Sequence, residues 1–243
     1  MHQISAETFK FMADLWVNNS KGWFDKNRTR YEQHVHRPMK AIAESLAEPV
    51  AVMLPEFSGK PKLSRINNDI RFTANKPLYK EHMWISFGSK TENSADLFSA
   101  IGHNGWATGC GIGAPKREPL DTWRRNLLEY RDVWRKYSAA LELGEKVLTY
   151  FDKFYKKSLF PDTPEDLEKL VQAKSIWIVE ASKTTFKDSP EVDFFRGLCR
   201  MLPVYLFMFV PTNKLPERLL ELGSQIKPPD AETDRLWRTL EGC

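Results

Sequence analysis

The stretch RINNDIRFTANKPLYK, residues 65–80, gathers four basic side chains, one acid, three asparagines and a tyrosine. Groups of these types at this density can grip an anion or lock a fold. If 65–72 is extended, side chains alternate, with Arg65, Asn67, Asp69 and Arg71 on one side and Ile66, Asn68, Ile70 and Phe72 on the other. Asp69 would then stand between two arginines and hold both guanidinium groups by charge-assisted hydrogen bonds. Two fixed forks with Lys76 and Lys80 nearby suit a phosphate or carboxylate, and Tyr79 could orient the ligand or donate a proton. A ligand-free Arg–Asp–Arg lattice beneath the helices is the other reading, because buried ion pairs often serve the fold alone. Excess charge weighs toward a site: one aspartate cannot neutralise four cations, and burying the rest unpaired is costly. The candidate ligand-binding residues are therefore Arg65, Asp69, Arg71, Lys76, Tyr79 and Lys80.

Other constellations carry less chemistry. In GWATGCGIG, residues 105–113, a period of two puts Trp106, Thr108, Cys110 and Ile112 on one face and Gly105, Ala107, Gly109, Gly111 and Gly113 on the other. A face stripped of side chains admits either a phosphate to the backbone or a closely packed helix, and helix packing is the simpler explanation. The segment lacks the Lys-Ser/Thr of a phosphate-binding loop. His34 and His36 would diverge by about 200° on a helix and have no acidic or cysteine partner at metal spacing, so neither a metal nor a cofactor is expected. His82 and His103 are lone histidines near strand ends. Asn18 and Asn19, followed by Lys21, read as the end of one helix and the start of another, with a site role only if this turn lies beside 65–80. No serine elbow, Cys–His pattern or spaced carboxylate pair identifies a nucleophile, so enzymatic activity stays open.

The elements that must position these residues change along the chain. Ser5 can cap a first helix with Phe9, Met12, Ala13 and Trp16 on one face. Trp23, Asn27 and Tyr31 mark a second helix. A third starts near Pro38, carries Met39, Ile42, Ala43 and Leu46, and ends at Pro49. Short strands follow at 82–87, 95–101 and 105–113, separated by the turns GSKTEN and GHNG, whose Asn-Gly pair favours a tight hairpin. The helical period returns through Leu120, Trp123, Leu127, Tyr130, Val133, Trp134 and Tyr137, and continues at Leu148, Phe151 and Tyr155. TPEDLEKLV, PERLLELGSQI and AETDRLWRTL read as helices, SIWIV and VYLFMFV as late strands, and the tryptophans mostly as core. The expected architecture is one α+β domain over 1–243 with a mainly antiparallel sheet. It has a helical opening at 5–48, a sheet core at about 62–113 and a helix-rich half at 119–243.

Composition narrows the function classes. With 243 residues and a hydrophobic fraction of 42%, the chain can bury a real core. Its 36 basic against 32 acidic residues leave a net charge of +4, too mild for a nonspecific nucleic-acid binder. Cys110, Cys199 and Cys243 are widely spaced and odd in number, which fits a reducing cytoplasm rather than a disulfide framework or a zinc cluster. The N-terminal residues lack a signal peptide's basic start and apolar stretch. The most apolar run, MLPVYLFMFVP at 201–211, is about half the length that spans a bilayer, and its prolines would bracket a buried strand. A cytoplasmic protein without a membrane segment is expected.

The pattern R..ND.RF..NK..YK resembles the signature of a mainly bacterial family known as domain of unknown function 2461. The matching residues are Arg65, Asp69, Arg71, Phe72, Asn75, Lys76 and Tyr79, while Asn68 stands where the family usually has arginine. Asn18, Asn19, Trp23, Phe24 and Tyr31 resemble the family's opening, and the likeness fades after about residue 210. The resemblance implies no activity.

Three functions fit these residues. The leading one is binding, or acting on, a small phosphate- or carboxylate-bearing ligand at 65–80. The second is a nucleic-acid interaction through KPKLSR, NKPLYK and DKFYKKS, expected to be weak. The third is a scaffold whose polar cluster serves folding. Local rather than spread charge favours the first.

Overall fold

The computed structural model describes residues 3–57, 60–71, 76–88, 95–113, 117–157 and 159–240. Its centre is one six-stranded sheet. The strands are β1 (Lys62–Leu63), β2 (His82–Ser86), β3 (Asp96–Gly102), β4 (Gly105–Ile112), β5 (Val147–Phe151) and β6 (Ile176–Ser182). Their order is β1-β2-β3-β4-β6-β5, and every neighbouring pair is antiparallel. The α+β class is as expected. Gly102 pairs with Gly105, so only His103 and Asn104 turn the β3–β4 hairpin, and Gly105 takes a positive φ of 146° that other residues resist. Nearly all of the GSKTEN turn lies outside the described residues.

Ten helices accompany the sheet among the described residues. Before it come α1 (Ala6–Val17), α2 (Lys21–Lys26), α3 (Arg28–Tyr31) and α4 (Arg37–Met53). After β4 come α5 (Arg117–Glu129), α6 (Arg131–Ala140), α7 (Glu165–Gln172), α8 (Pro190–Phe209), α9 (Leu215–Gln225) and α10 (Ala231–Arg238). A π-helical turn, Glu32–His36, joins α3 to α4 without a break, so Pro38 lies within a helical run rather than at its start. Proline has no N–H for the carbonyl four residues back. That carbonyl, of His34, instead accepts the Thr8 hydroxyl at 2.6 Å. Pro49 does not end α4 either; the helix continues to Met53, and the carbonyl that Pro49 leaves unserved belongs to exposed Ser45.

Two further expectations fail for physical reasons. VYLFMFV is not a strand but the last turns of α8, in which Met201 through Met208 are all buried. A helix enclosed by protein has no polar face, so its sequence loses the 3.6-residue period and its bulky apolar residues mimic a strand. Pro203 sits inside this helix, and the carbonyl it frees, that of Cys199, accepts the indole N–H of Trp237 at 3.2 Å. Leu148 and Phe151 belong to β5 rather than to a helix. Glu142 and Gly144, with φ of 55° and 97°, turn the chain back after α6 and start the strand. The helix-rich half therefore supplies two of the sheet's strands.

One face of the sheet meets the helices. Met83, Ile85, Leu97, Ile101, Cys110 and Ile178 point into the core, which runs continuously from Ile4 to Leu240. Helix α8 crosses this face with Gly197 directly over Thr108: a Cβ on Gly197 would meet the threonine Oγ1 at 2.3 Å. No helix among the described residues is long and apolar enough to cross a membrane.

Candidate functional site

Residues 65–68 and 77–80 pair as two antiparallel arms before β2. Asn67 bridges Tyr79, Asn68 N–H donates to the Leu78 carbonyl at 2.9 Å, and Lys80 N–H donates to Ile66 at 2.8 Å. The chain bends at Asp69, whose Oδ1 accepts the Arg71 amide at 3.2 Å. That bend corrects the expected lattice. Asp69 grips Arg71 alone, by two side-chain hydrogen bonds of 2.9 and 2.6 Å, while Arg65 has no ion pair with it. The pair is exposed, and the guanidinium holds the Asp69 carboxyl down to about 2. Phe72 and Asn75 lie outside the described residues.

Tyr79 is turned inward. Its ring is buried and stacks on Phe24 at 4.2 Å, so it anchors the excursion to the core rather than facing a ligand. Asn19 completes the anchor: its Oδ1 accepts the Tyr79 N–H at 2.9 Å and its Nδ2 donates to the Tyr79 carbonyl at 2.9 Å. Asn68 donates to that same carbonyl at 3.1 Å and to Pro77 at 2.8 Å, so it ties the two arms together. The Asn18–Asn19 turn does lie beside 65–80, and its part there is to hold the backbone.

The remaining cations converge. The Lys80 ammonium donates to the Arg65 carbonyl at 2.5 Å and lies 4.6 Å from the centre of the Trp84 ring. Partial burial lowers its pKa, and the charges of Lys76 and Arg65 lower it further. Arg65 and Lys76 are exposed, and neither has an ion-pair partner among the described residues. Unlike a sealed lattice, this cluster is open to solvent.

Trp84 leads to a feature that the sequence reading missed. Cross-strand partners share a sheet face. On the face away from α8, one row reads Trp84, Ala100, Ala107 and Ala181 across four strands. The next row places Phe98 opposite Gly109, and the one after places Gly111 opposite Trp177 and Trp177 opposite Tyr150. The glycine face is thus turned away from α8 and free of helices among the described residues, which overturns the expected helix packing. Its glycines make room for rings: a Cβ on Gly109 would stand 2.8 Å from Phe98, and one on Gly111 would stand 2.4 Å from Trp177. Those two rings meet edge to face at 5.8 Å. Between them and Trp84, the alanine row floors a cavity of about 600 Å³. Asp96 closes one end, its Oδ1 accepting the Ser86 hydroxyl at 3.1 Å.

Among the described residues, no group of three or more His, Cys, Asp or Glu side chains could hold a metal ion. Cys110 and Cys199 are buried, and burial pushes both thiols up, away from reactivity.

Among known families, the one described as "Conserved hypothetical protein (DUF2461)" matches residues 7–196. No curated protein and no solved structure matches the chain.

Proposed function

We propose that this chain, which belongs to the DUF2461 family, binds a small anionic ligand, phosphate- or carboxylate-bearing, at the cationic cluster of Arg65, Lys76 and Lys80. The exposed Asp69–Arg71 pair borders the cluster. The observation that carries this reading is Lys80, a half-buried ammonium held 2.5 Å from the Arg65 carbonyl and 4.6 Å from the centre of the Trp84 ring, with no ion-pair partner among the described residues. A folded chain that holds three cations near one another, none of them in an ion pair among the described residues and with Asp69 committed to Arg71, gains from an anion that arrives from outside. Backbone anchoring by Asn19 and Asn68 fixes where these cations stand, which limits the ordering cost of binding.

Thermal melts test the proposal, with inorganic phosphate compared against chloride at equal ionic strength. Binding to the folded state alone raises its stability by about 2.7 kcal/mol at a hundredfold excess over the dissociation constant. The parent should melt higher in phosphate, and Lys80→Met and Arg65→Gln should lose that rise. A parent indifferent to phosphate would remove the proposal.

A further inference from the structure

Building on the anion-binding reading, we propose that the helix-free face of the sheet is the other half of the same site. There it seats the planar, apolar ring system of the ligand while Lys80 holds the anionic group. The occupant is thus an aromatic anion, a ring bearing a phosphate or carboxylate.

Three observations converge on that chemistry. The floor is flat and nearly featureless, because Ala100, Ala107 and Ala181 stand side by side on adjacent strands. Its walls are aromatic: Trp84 on β2 ends the alanine row, and Phe98 and Trp177 stand in the rows beside it. Rings prefer offset or edge contacts with other rings, so a planar ligand laid on the alanines would meet aromatic partners at one end and along one flank. The volume of about 600 Å³ falls in the range of roughly 300–1,000 Å³ typical of small-molecule sites.

Charge then sets orientation. Lys80 sits over Trp84 at 4.6 Å, so the wall of the groove and the cationic cluster share a residue contact. Asp96 stands at the other end, near Trp177. An anionic group is drawn to the Lys80 end. A ligand with ring and anion therefore binds in one direction, and a neutral ring gains only the floor and walls.

Calorimetric titration with 1-naphthyl phosphate, 1-naphthol and inorganic phosphate tests the proposal on the full chain. Quenching of tryptophan fluorescence gives a second readout. The naphthyl phosphate should bind at least about tenfold tighter than either part alone. Ala107→Phe, which fills the floor, should weaken it by about tenfold or more while leaving inorganic phosphate binding unchanged. Ala181→Phe, on a more exposed floor position, should act alike if Ala107→Phe perturbs folding. Lys80→Met should weaken both phosphates and spare 1-naphthol. If inorganic phosphate binds as tightly as naphthyl phosphate, the groove proposal falls and the anion reading stands. If 1-naphthol binds as tightly and Lys80→Met changes nothing, the anion reading falls, and this proposal with it. Tighter binding of a single-stranded oligothymidylate than of naphthyl phosphate, resistant to salt, would replace the small ligand by a nucleic-acid strand and overturn the proposal.

Discussion

Asn19 and Tyr79, sixty positions apart, are joined as two strand residues would be: one asparagine side chain satisfies both the N–H and the C=O of the tyrosine, each at 2.9 Å. The asparagine thus substitutes for a strand on the side of Tyr79 away from Asn67, where none pairs with it among the described residues. It also explains why a polar excursion full of charge stays pinned to a core. The tyrosine ring stacks on Phe24 behind it, and Asn68 doubles the bond to the carbonyl.

Asn19→Ala should therefore destabilise the protein by about 1–3 kcal/mol, the cost of a buried N–H left without a partner. Asn68→Ala should cost less alone, because Asn19 still serves the Tyr79 carbonyl. The double variant should lose more than the two singles summed, since only then is the carbonyl orphaned. Denaturant titrations of the three variants measure this coupling. Strict additivity would mean that the two asparagines do not share the carbonyl.

The Asp69–Arg71 pair predicts the opposite behaviour. Both side chains are exposed, and exposed pairs contribute little to stability. Asp69→Ala should leave the melting temperature nearly unchanged while speeding hydrogen exchange at the Arg71 amide, which loses its acceptor. The carboxyl is held down to about 2 by Arg71, below its ordinary value of 3.8. Its contribution to the bend is therefore present above 3.8 and disappears as pH falls through about 2. A carboxyl that titrates in the ordinary range by NMR would show that the pair does not form.

The glycines of β4 give a third prediction. A Cβ on Gly111 would stand 2.4 Å from the Trp177 ring and 2.6 Å from the Ile176 carbonyl oxygen, and the second contact cannot rotate away. Gly111→Ala should cost about 1–3 kcal/mol, as overpacking does, and should shift tryptophan emission. Gly113→Ala, whose Cβ would meet Trp177 at an ordinary 3.5 Å, is the control and should be nearly silent.

These same glycines mark where the sequence stops speaking. Alternation alone sorted Trp106, Thr108, Cys110 and Ile112 from the glycine face correctly, because a strand's period is local. It could not tell which face the helices cover. That depends on Gly197 meeting Thr108, residues 89 positions apart by their numbering. The aromatic groove was hidden for the same reason. Trp84 and Phe98 fall on the same face of the sheet as Ala107 and Trp177, and that alignment exists only through inter-strand register. The basic cluster was legible as composition. Its geometry was not, because the Asx bend at Asp69 breaks the extended alternation that would have given Arg65 and Arg71 a common partner. Helix α8 was misread because complete burial erases the period that identifies a helix.

A continuous core predicts cooperative unfolding. Phe11 of α1, Met83 of β2, Phe207 of α8 and Trp237 of α10 belong to one buried cluster. Denaturation followed by far-ultraviolet circular dichroism and by tryptophan fluorescence should give coincident transitions. Two separated midpoints would divide the chain into independent units.

Lys80 supplies the prediction that bears most directly on function. Partial burial, then Lys76 and Arg65, lower its pKa from the ordinary 10.5, so the folded protein holds this proton less tightly than the unfolded chain does. Stability should accordingly rise as pH climbs from the lowered folded pKa toward 10.5. An anion at the cluster has the reverse preference, since it favours the charged ammonium. Anion affinity should fall as pH rises through the lowered pKa, beginning before ordinary lysines titrate, and binding in that range should take up protons. Titrations in buffers of different ionisation enthalpy measure the uptake. Lys80→Arg keeps its charge throughout and should move the fall-off to higher pH. An affinity that stays level until the ordinary lysine range, or a fall-off unmoved by arginine, would show that the anion is held by a group other than Lys80.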